Sequence, residues 1–368
     1  MGSVRYCRHA LLGLMLSLLP TLAWAQAINP LAFNALNTAQ QAQDSGDLAR
    51  ARAVLNEALE KVAADSLEQA LIEQRLAYVA IRGEQYDQAI EWLSKALAHD
   101  KLDAEAVRQE HLNLAQLMAS QGRYREAATL LESERRRAGL NLDQTQLLVQ
   151  CYSNTRDYAK AIPLAEEVVR GNAGAADVWY QLLVGMSYEQ EQYGRAAQWQ
   201  KVLLKRNPSR AENWRQLAGL QSMAGKQQAA AATLRLAHEA GLGLTQTDLD
   251  NMVALQVNAG APWQAARLLE ALLQQQLLPN SAARQERLAQ LWTLARDRTR
   301  ARAAWAALAN GSNNAEHWLR LAGIQLEDGD WPELLDTLKR AQPVASSQQR
   351  QLIRQWEGYA RSVMDHNS

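Results

Sequence analysis

The sequence predicts an all-α fold, an α-α superhelix of about nine helix–turn–helix repeats ending in a C-terminal capping helix. Three observations predict it. An alanine column recurs as Ala51, Ala89, Ala127, Ala161, Ala196, Ala230, Ala265 and Ala301, with Leu334 in ninth place, at intervals of 33 to 38 residues. That interval is the length of a helix–turn–helix unit. Small residues also stand twelve positions before each member: Ala39, Ala77, Ala115, Val149, Val184, Ala218, Val253, Ala289 and Ala322. Within each segment, apolar residues fall at spacings of three, four and seven, which marks one buried helical face.

Two further columns give each unit its turn. Gly46, Gly122, Gly225, Gly260 and Gly329 stand five positions before the alanine column, where the end of a first helix calls for left-handed backbone. Leu48, Tyr86, Tyr124, Tyr158, Tyr193 and Trp331 stand three before it, with departures at Gln227, Pro262 and Arg298. These large side chains are expected to plug the gap at the turn into the second helix. The two small columns then face each other and let the helix backbones approach. One such hairpin cannot bury its apolar face alone, whereas stacked neighbours can. Pro262 suits a first helical turn. Pro163 stands two residues past its alanine, still near a helix start.

The chain ends are read separately. Arg5 and Arg8, the apolar run "ALLGLMLSLL", Pro20 and Ala23-Trp24-Ala25 form the pattern of a secretory signal over residues 1–25, with cleavage expected after Ala25. The repeats are then expected over 26–345. A capping helix is expected over 346–364, started by Ser346 or Ser347 and placing Leu352, Ile353, Trp356 and Tyr359 on one apolar face. No Pro/Gly/Ser-rich linker interrupts the repeats, which points to one extended body.

Charge and composition argue against several functions. Removing Arg5 and Arg8 from 39 basic and 39 acidic residues leaves a net charge of −2, with no electrostatic footprint for nucleic acid or anionic lipid. The run Arg135-Arg136-Arg137 lies beside Glu132 and Glu134 and is read as a solvated helix end. Cys151 loses its only possible partner, Cys7, with the signal, so it is expected to be an inert buried thiol. No phosphate-binding loop, H-E-x-x-H or G-x-S-x-G motif occurs. No catalytic residue, cofactor or metal site is expected. Most of the ten tryptophans after residue 25 fall at turn or core positions.

The small, aromatic and alanine columns resemble those of the tetratricopeptide repeat (TPR) over about residues 34–342. Trp214 and Trp318 stand where that family places an early tryptophan, and Pro208 where it places a terminal proline. The resemblance implies a TPR solenoid whose first helices line a concave face. Side chains one place after the small column, or about four residues to either side, then point into the groove. They include Gln74, Tyr78, Gln116, Gln146, Gln150, Gln181, Tyr188 and Arg215. Glutamine amides both donate and accept hydrogen bonds, so this set suits an extended peptide backbone. "NWRQLAGLQSMAGK", "WQAARLLEALL", "RLAQLWTLARD" and "LRLAGIQLEDGDW" are similar to periplasmic TPR proteins encoded beside TonB–ExbB–ExbD energy-transduction genes. That similarity implies a periplasmic accessory protein of TonB-dependent uptake. An envelope-assembly scaffold for outer-membrane, pilus or cell-wall machinery would use the same groove on a different client.

Overall fold

The computed structural model describes residues 28–172 and 174–367; the expected signal segment and its cleavage point lie outside the described residues. These residues form nineteen α-helices and one 3-10 turn at Gln342–Val344, with no strand among them. The chain divides into two compact units, residues 1–190 and 191–368. In unit 1 the helices are α1 (Pro30–Asp44), α2 (Leu48–Leu59), α3 (Leu67–Arg82), α4 (Tyr86–Ala98), α5 (Ala104–Ser120), α6 (Tyr124–Ala138), α7 (Leu142–Asn154), α8 (Tyr158–Gly171) and α9 (Asp177–Glu189). Unit 2 holds α10 (Tyr193–Arg206), α11 (Ala211–Met223), α12 (Gln227–Glu239), α13 (Gln246–Asn258), α14 (Pro262–Gln274), α15 (Ala282–Leu294), α16 (Arg298–Gly311), α17 (Ala315–Asp328), α18 (Trp331–Ala341) and α19 (Ser347–Asn367). In unit 1, α1 to α8 form four hairpins of a first (A) and a second (B) helix, followed by α9 in the A position of the sequence register; in unit 2, α10 stands in the B position and α11 to α18 form four further A/B hairpins. The fold is all-α, and within each unit the helices stack as hairpins of TPR type.

The alanine column is buried throughout. Ala51, Ala89, Ala127, Ala161, Ala196, Ala230 and Ala265 are fully inaccessible, and Ala301 and Leu334 nearly so. The A-helix column is buried too, except Val184, which is half-buried. Ala39 and Ala51 lie in one core cluster with Leu55, Ile72 and Leu76. In unit 2 the pairs Ala218/Ala230, Val253/Ala265, Ala289/Ala301 and Ala322/Leu334 share one continuous cluster. Each fully buried leucine around them contributes about 1.5–3 kcal/mol.

The turns repeat one hydrogen-bond scheme. After α1, the Gly46 amide donates to Gln43 O at 3.1 Å and the Asp47 amide to Ala42 O at 2.8 Å, a Schellman motif. The same pair of bonds closes α3 through Glu84 and Gln85, α5 through Gly122 and Arg123, and α7 through Arg156 and Asp157. It recurs at Gly225, Gly260, Arg296 and Gly329. The last residue of the motif is also the N-cap of the following B helix. Helix B thus begins on the residue that ends helix A, and its first residue is the turn-column position, a large side chain in six of the nine. Most A helices start on a side-chain cap: Asn29, Ser66, Asp103, Asn141, Thr245, Ser281 and Asn314 each accept from a backbone amide two or three residues on.

The structure adds to or corrects the sequence reading at four places. The left-handed position exists in every repeat, held by glycine in five and by Glu84, Arg156, Glu191 and Arg296 at φ 57°, 60°, 55° and 56°. Pro163 lies inside α8 without ending it, since the helix continues to Gly171. Helix α19 runs past residue 364 to Asn367, started by Ser346, which exchanges bonds with Gln349; Ile353 is buried, but Tyr359 is 56% exposed. Cys151 is fully buried, and burial pushes its thiol up to about 12, which keeps it protonated.

A Cβ at Gly122 would meet nothing within 4 Å, so Gly122→Ala tests the backbone alone. Urea unfolding is expected to show a loss of roughly 1–2 kcal/mol, whereas Arg156→Gly, at the same turn position, is expected to be neutral or stabilising. Equal destabilisation by both would contradict the shared turn.

Candidate functional site

In unit 1 the A helices of successive repeats touch directly, α1 on α3 and α5 on α7. The B helices leave open clefts between them, one lined from α4, α5 and α6 and one from α6, α7 and α8. Close approach on one side and gaps on the other place the A helices on the inner face of this unit. Seven of the eight expected groove residues belong to unit 1: Gln74 and Tyr78 on α3, Gln116 on α5, Gln146 and Gln150 on α7, and Gln181 and Tyr188 on α9. Arg215 is on α11 of unit 2.

The α3–α5 end of this face is a closed polar cluster. Glu110, 3% exposed, accepts from Gln74 Nε2 at 2.6 Å, from the Tyr78 hydroxyl, and from Asn113 Nδ2 at 3.1 Å. Asn113 also donates to the Tyr78 oxygen at 3.2 Å. Burial, reinforced by the Glu110 charge, pushes the Tyr78 phenol far above its ordinary value, so it stays a proton donor. Next to it, Arg75 donates to Gln40 Oε1, and Gln40 in turn donates to Asp44 at 2.8 Å. Burial pulls the Arg75 guanidinium below its usual range. Among the described residues no cation pairs with Glu110 and no carboxylate with Arg75.

This cluster corrects part of the sequence reading. Gln74 is only 4% exposed and spends its amide on Glu110, so it supports the groove wall and does not face a ligand. Tyr78 is half-buried and anchored in the same way. Arg215 is tied into unit 2: Nη1 donates to Glu212 Oε2 at 2.5 Å, and Nε lies 3.1 Å from Asp248 Oδ2. Asp248 is itself held by the backbone amide and hydroxyl of Thr245. Gln116 and Gln146 are half-buried, and Gln150 and Gln181 are exposed. Their side-chain amides make no hydrogen bond among the described residues. Tyr188, 36% exposed, stands two turns from Gln181 on the same helix.

Glu110 and Asn113 escaped the sequence reading. Glu110 was legible only as one acidic residue among many, because its burial depends on donors supplied from the neighbouring repeat. A second buried carboxylate lies beside the arginine run that the sequence suggests is a solvated helix end. Glu134, 1% exposed, occupies the core place seven after Ala127 and accepts from His111 Nδ1 at 2.7 Å. Beside it, Arg135 reaches Glu132 and Glu167 at 3.9 and 3.7 Å. The tryptophans largely serve packing. Trp292 and Trp305 are buried, Trp305 donates to Thr293 Oγ1 at 2.9 Å, and Trp214 donates to Pro208 O at 2.8 Å. Trp263 is 45% exposed, edge-on to Trp292.

Neither protein-family models nor curated protein sequences match the chain. Among solved structures, it is similar to a tetratricopeptide repeat protein from Parabacteroides merdae ATCC 43184, at 16% identity over 72% of this chain and 99% of that one, with a TM-score of 0.38. It is also similar to MamA of AMB-1, at 19% identity over 49% of this chain and 95% of that one (TM-score 0.37). A third likeness is to the TPR domain of P58(IPK), at 14% identity over 92% and 99% of the two chains (TM-score 0.27). These likenesses concern fold alone; the polar cluster and the row of amides are read from this chain's own residues.

Removing the acceptor at the centre of the cluster strands several donors. Glu110→Ala is expected to lower stability by about 3 kcal/mol in urea unfolding, and Tyr78→Phe by about 1 kcal/mol. A neutral Glu110→Ala would show that water satisfies Gln74 and Asn113 as well as the carboxylate does.

Proposed function

We propose that this chain is a non-enzymatic protein-binding scaffold that holds an extended peptide segment of its partner along the A-helix face of unit 1. The observation that carries this reading is the row of amides with open hydrogen-bonding capacity, Gln116, Gln146, Gln150 and Gln181, on three successive A helices beside a locked polar cluster. A peptide backbone offers alternating donors and acceptors, and a primary amide can pair with both. The cluster around Glu110 holds the wall still, so binding orders few side chains and loses little entropy. Tyr188 adds an aromatic surface for packing.

The finer reading follows from the sequence. The basic, apolar and small-residue pattern of residues 1–25 supports export and cleavage after Ala25, and so a periplasmic location. The segments similar to TPR proteins encoded beside TonB–ExbB–ExbD genes support an accessory role in TonB-dependent transport, with the inner-membrane energy-transducing complex as partner. No cofactor and no nucleic acid enters this role.

The test is capture from a native envelope extract by the processed protein and by a Gln116→Ala/Gln150→Ala/Gln181→Ala variant of unchanged helicity. The proposal predicts recovery of the ExbB/ExbD/TonB-type complex by the parent and at least tenfold less by the variant. Recovery of outer-membrane, pilus or cell-wall assembly proteins would replace the TonB reading with the envelope-assembly one. Equal recovery by parent and variant would remove the groove from the account.

A further inference from the structure

Helix α6 lies between two open clefts of opposite chemistry. Toward α4 is a cleft of about 460 Å³, with walls of Leu97, Leu114, Met118 and Leu130 and Glu126 at its rim. Toward α8 is a cleft of about 630 Å³ that includes Arg125, Arg136 and Lys160 together with Glu132 and Asp157. Thr129 belongs to both. Helical spacing explains the division: Glu126 and Leu130 share one side of α6, while Arg125, Thr129, Glu132 and Arg136 share the other.

The charges in the second cleft do not cancel. Asp157 is 3.0 Å from Lys160, and Glu132 is 3.9 Å from Arg135. Lys160 also lies over the Tyr152 ring at 5.1 Å. Arg125 and Arg136 have no acceptor among the described residues, and both are exposed. They sit on a unit whose charge has the opposite sign, since residues 28–190 carry 23 acidic and 16 basic side chains. An acidic partner would therefore be repelled over most of this unit and attracted at α6.

We infer that α6 is a second docking surface, separate from the A-helix groove, and that its occupant is an amphipathic helix of a partner protein with one apolar edge and one acidic edge. The apolar edge enters the α4–α6 cleft, where Met118 can adapt to the incoming side chain. The acidic edge pairs with Arg125 and Arg136. These two residues are eleven apart on α6, a rise of about 16 Å. A helix laid alongside presents carboxylates at that same interval on one face. An extended strand covers the distance in about five residues, an odd number, which puts its two carboxylates on opposite faces. The chain's own longest helix, α19, does not fit as the occupant from a second copy: its outer face carries Arg350, Arg354 and Arg361, all exposed.

The probe is a fluorescein-labelled helical peptide of about 18 residues with leucine along one edge and glutamate along the next, read by fluorescence anisotropy. Lysine-for-glutamate and serine-for-leucine versions are the controls. The parent protein is expected to bind the Leu/Glu probe at least tenfold more tightly than either control, with affinity falling as salt rises. Arg125→Glu/Arg136→Glu, both on exposed side chains, is expected to lose that binding at least tenfold and to gain affinity for the lysine probe. The Gln116→Ala/Gln150→Ala/Gln181→Ala variant is expected to bind the probe unchanged, which separates this surface from the groove. Three results would overturn the proposal: equal affinity of parent and charge-reversed protein, equal affinity for the serine probe, or sedimentation showing self-association that charge reversal abolishes.

Discussion

Within each unit, a small side chain of helix A and the alanine column of helix B are packed out of reach of solvent in every paired hairpin, and the distance between the two helix axes is set there. Alanine contributes little buried area itself. Its effect is to let larger neighbours such as Leu55, Leu93, Leu131 and Leu269 close over the contact, and all four are fully buried. The hairpin gains a core only when the next repeat covers it, so the contact and the stacking are one requirement. In unit 1 this stacking brings A helices together on one face and leaves clefts between B helices on the other.

Those two faces differ in chemistry because they differ in packing. On the A side, neighbouring repeats are close enough for Gln74, Tyr78 and Asn113 to converge on one carboxylate. On the B side, helices stand far enough apart for apolar and cationic side chains to line open clefts. A binding scaffold needs a stiff frame with unspent polar groups. The A face supplies both, with stiffness near Glu110 and open amides farther along.

Much of the fold was legible from single residues. The alanine column located every B helix, and the residue three places earlier, large in six of the nine, is the first residue of each. The left-handed turn position was legible only where glycine marks it. Glu84, Arg156 and Arg296 take the same backbone because the hydrogen bonds of the turn outweigh a local cost of about 1–2 kcal/mol, and nothing in their side chains announces it. The groove was legible as a register of helix positions, but not in its energetics. Gln74 and Gln150 look alike in sequence, and burial against Glu110 removes one of them from the binding surface. Glu134 shows the converse: a charged residue at a core position, tolerated because His111 from the same repeat supplies a partner.

The most direct measurement of the central claim is the effect of added volume at the alanine column. Ala265, fully buried within the unit 2 core, can be replaced with leucine and compared with Ala232→Leu on the exposed face of α12. Urea unfolding followed by tryptophan fluorescence should show Ala265→Leu destabilised by about 1–3 kcal/mol, with Ala232→Leu close to the parent. Identical stability of the two variants would mean that the helices do not depend on close approach at this position, and the account of the repeat would fail.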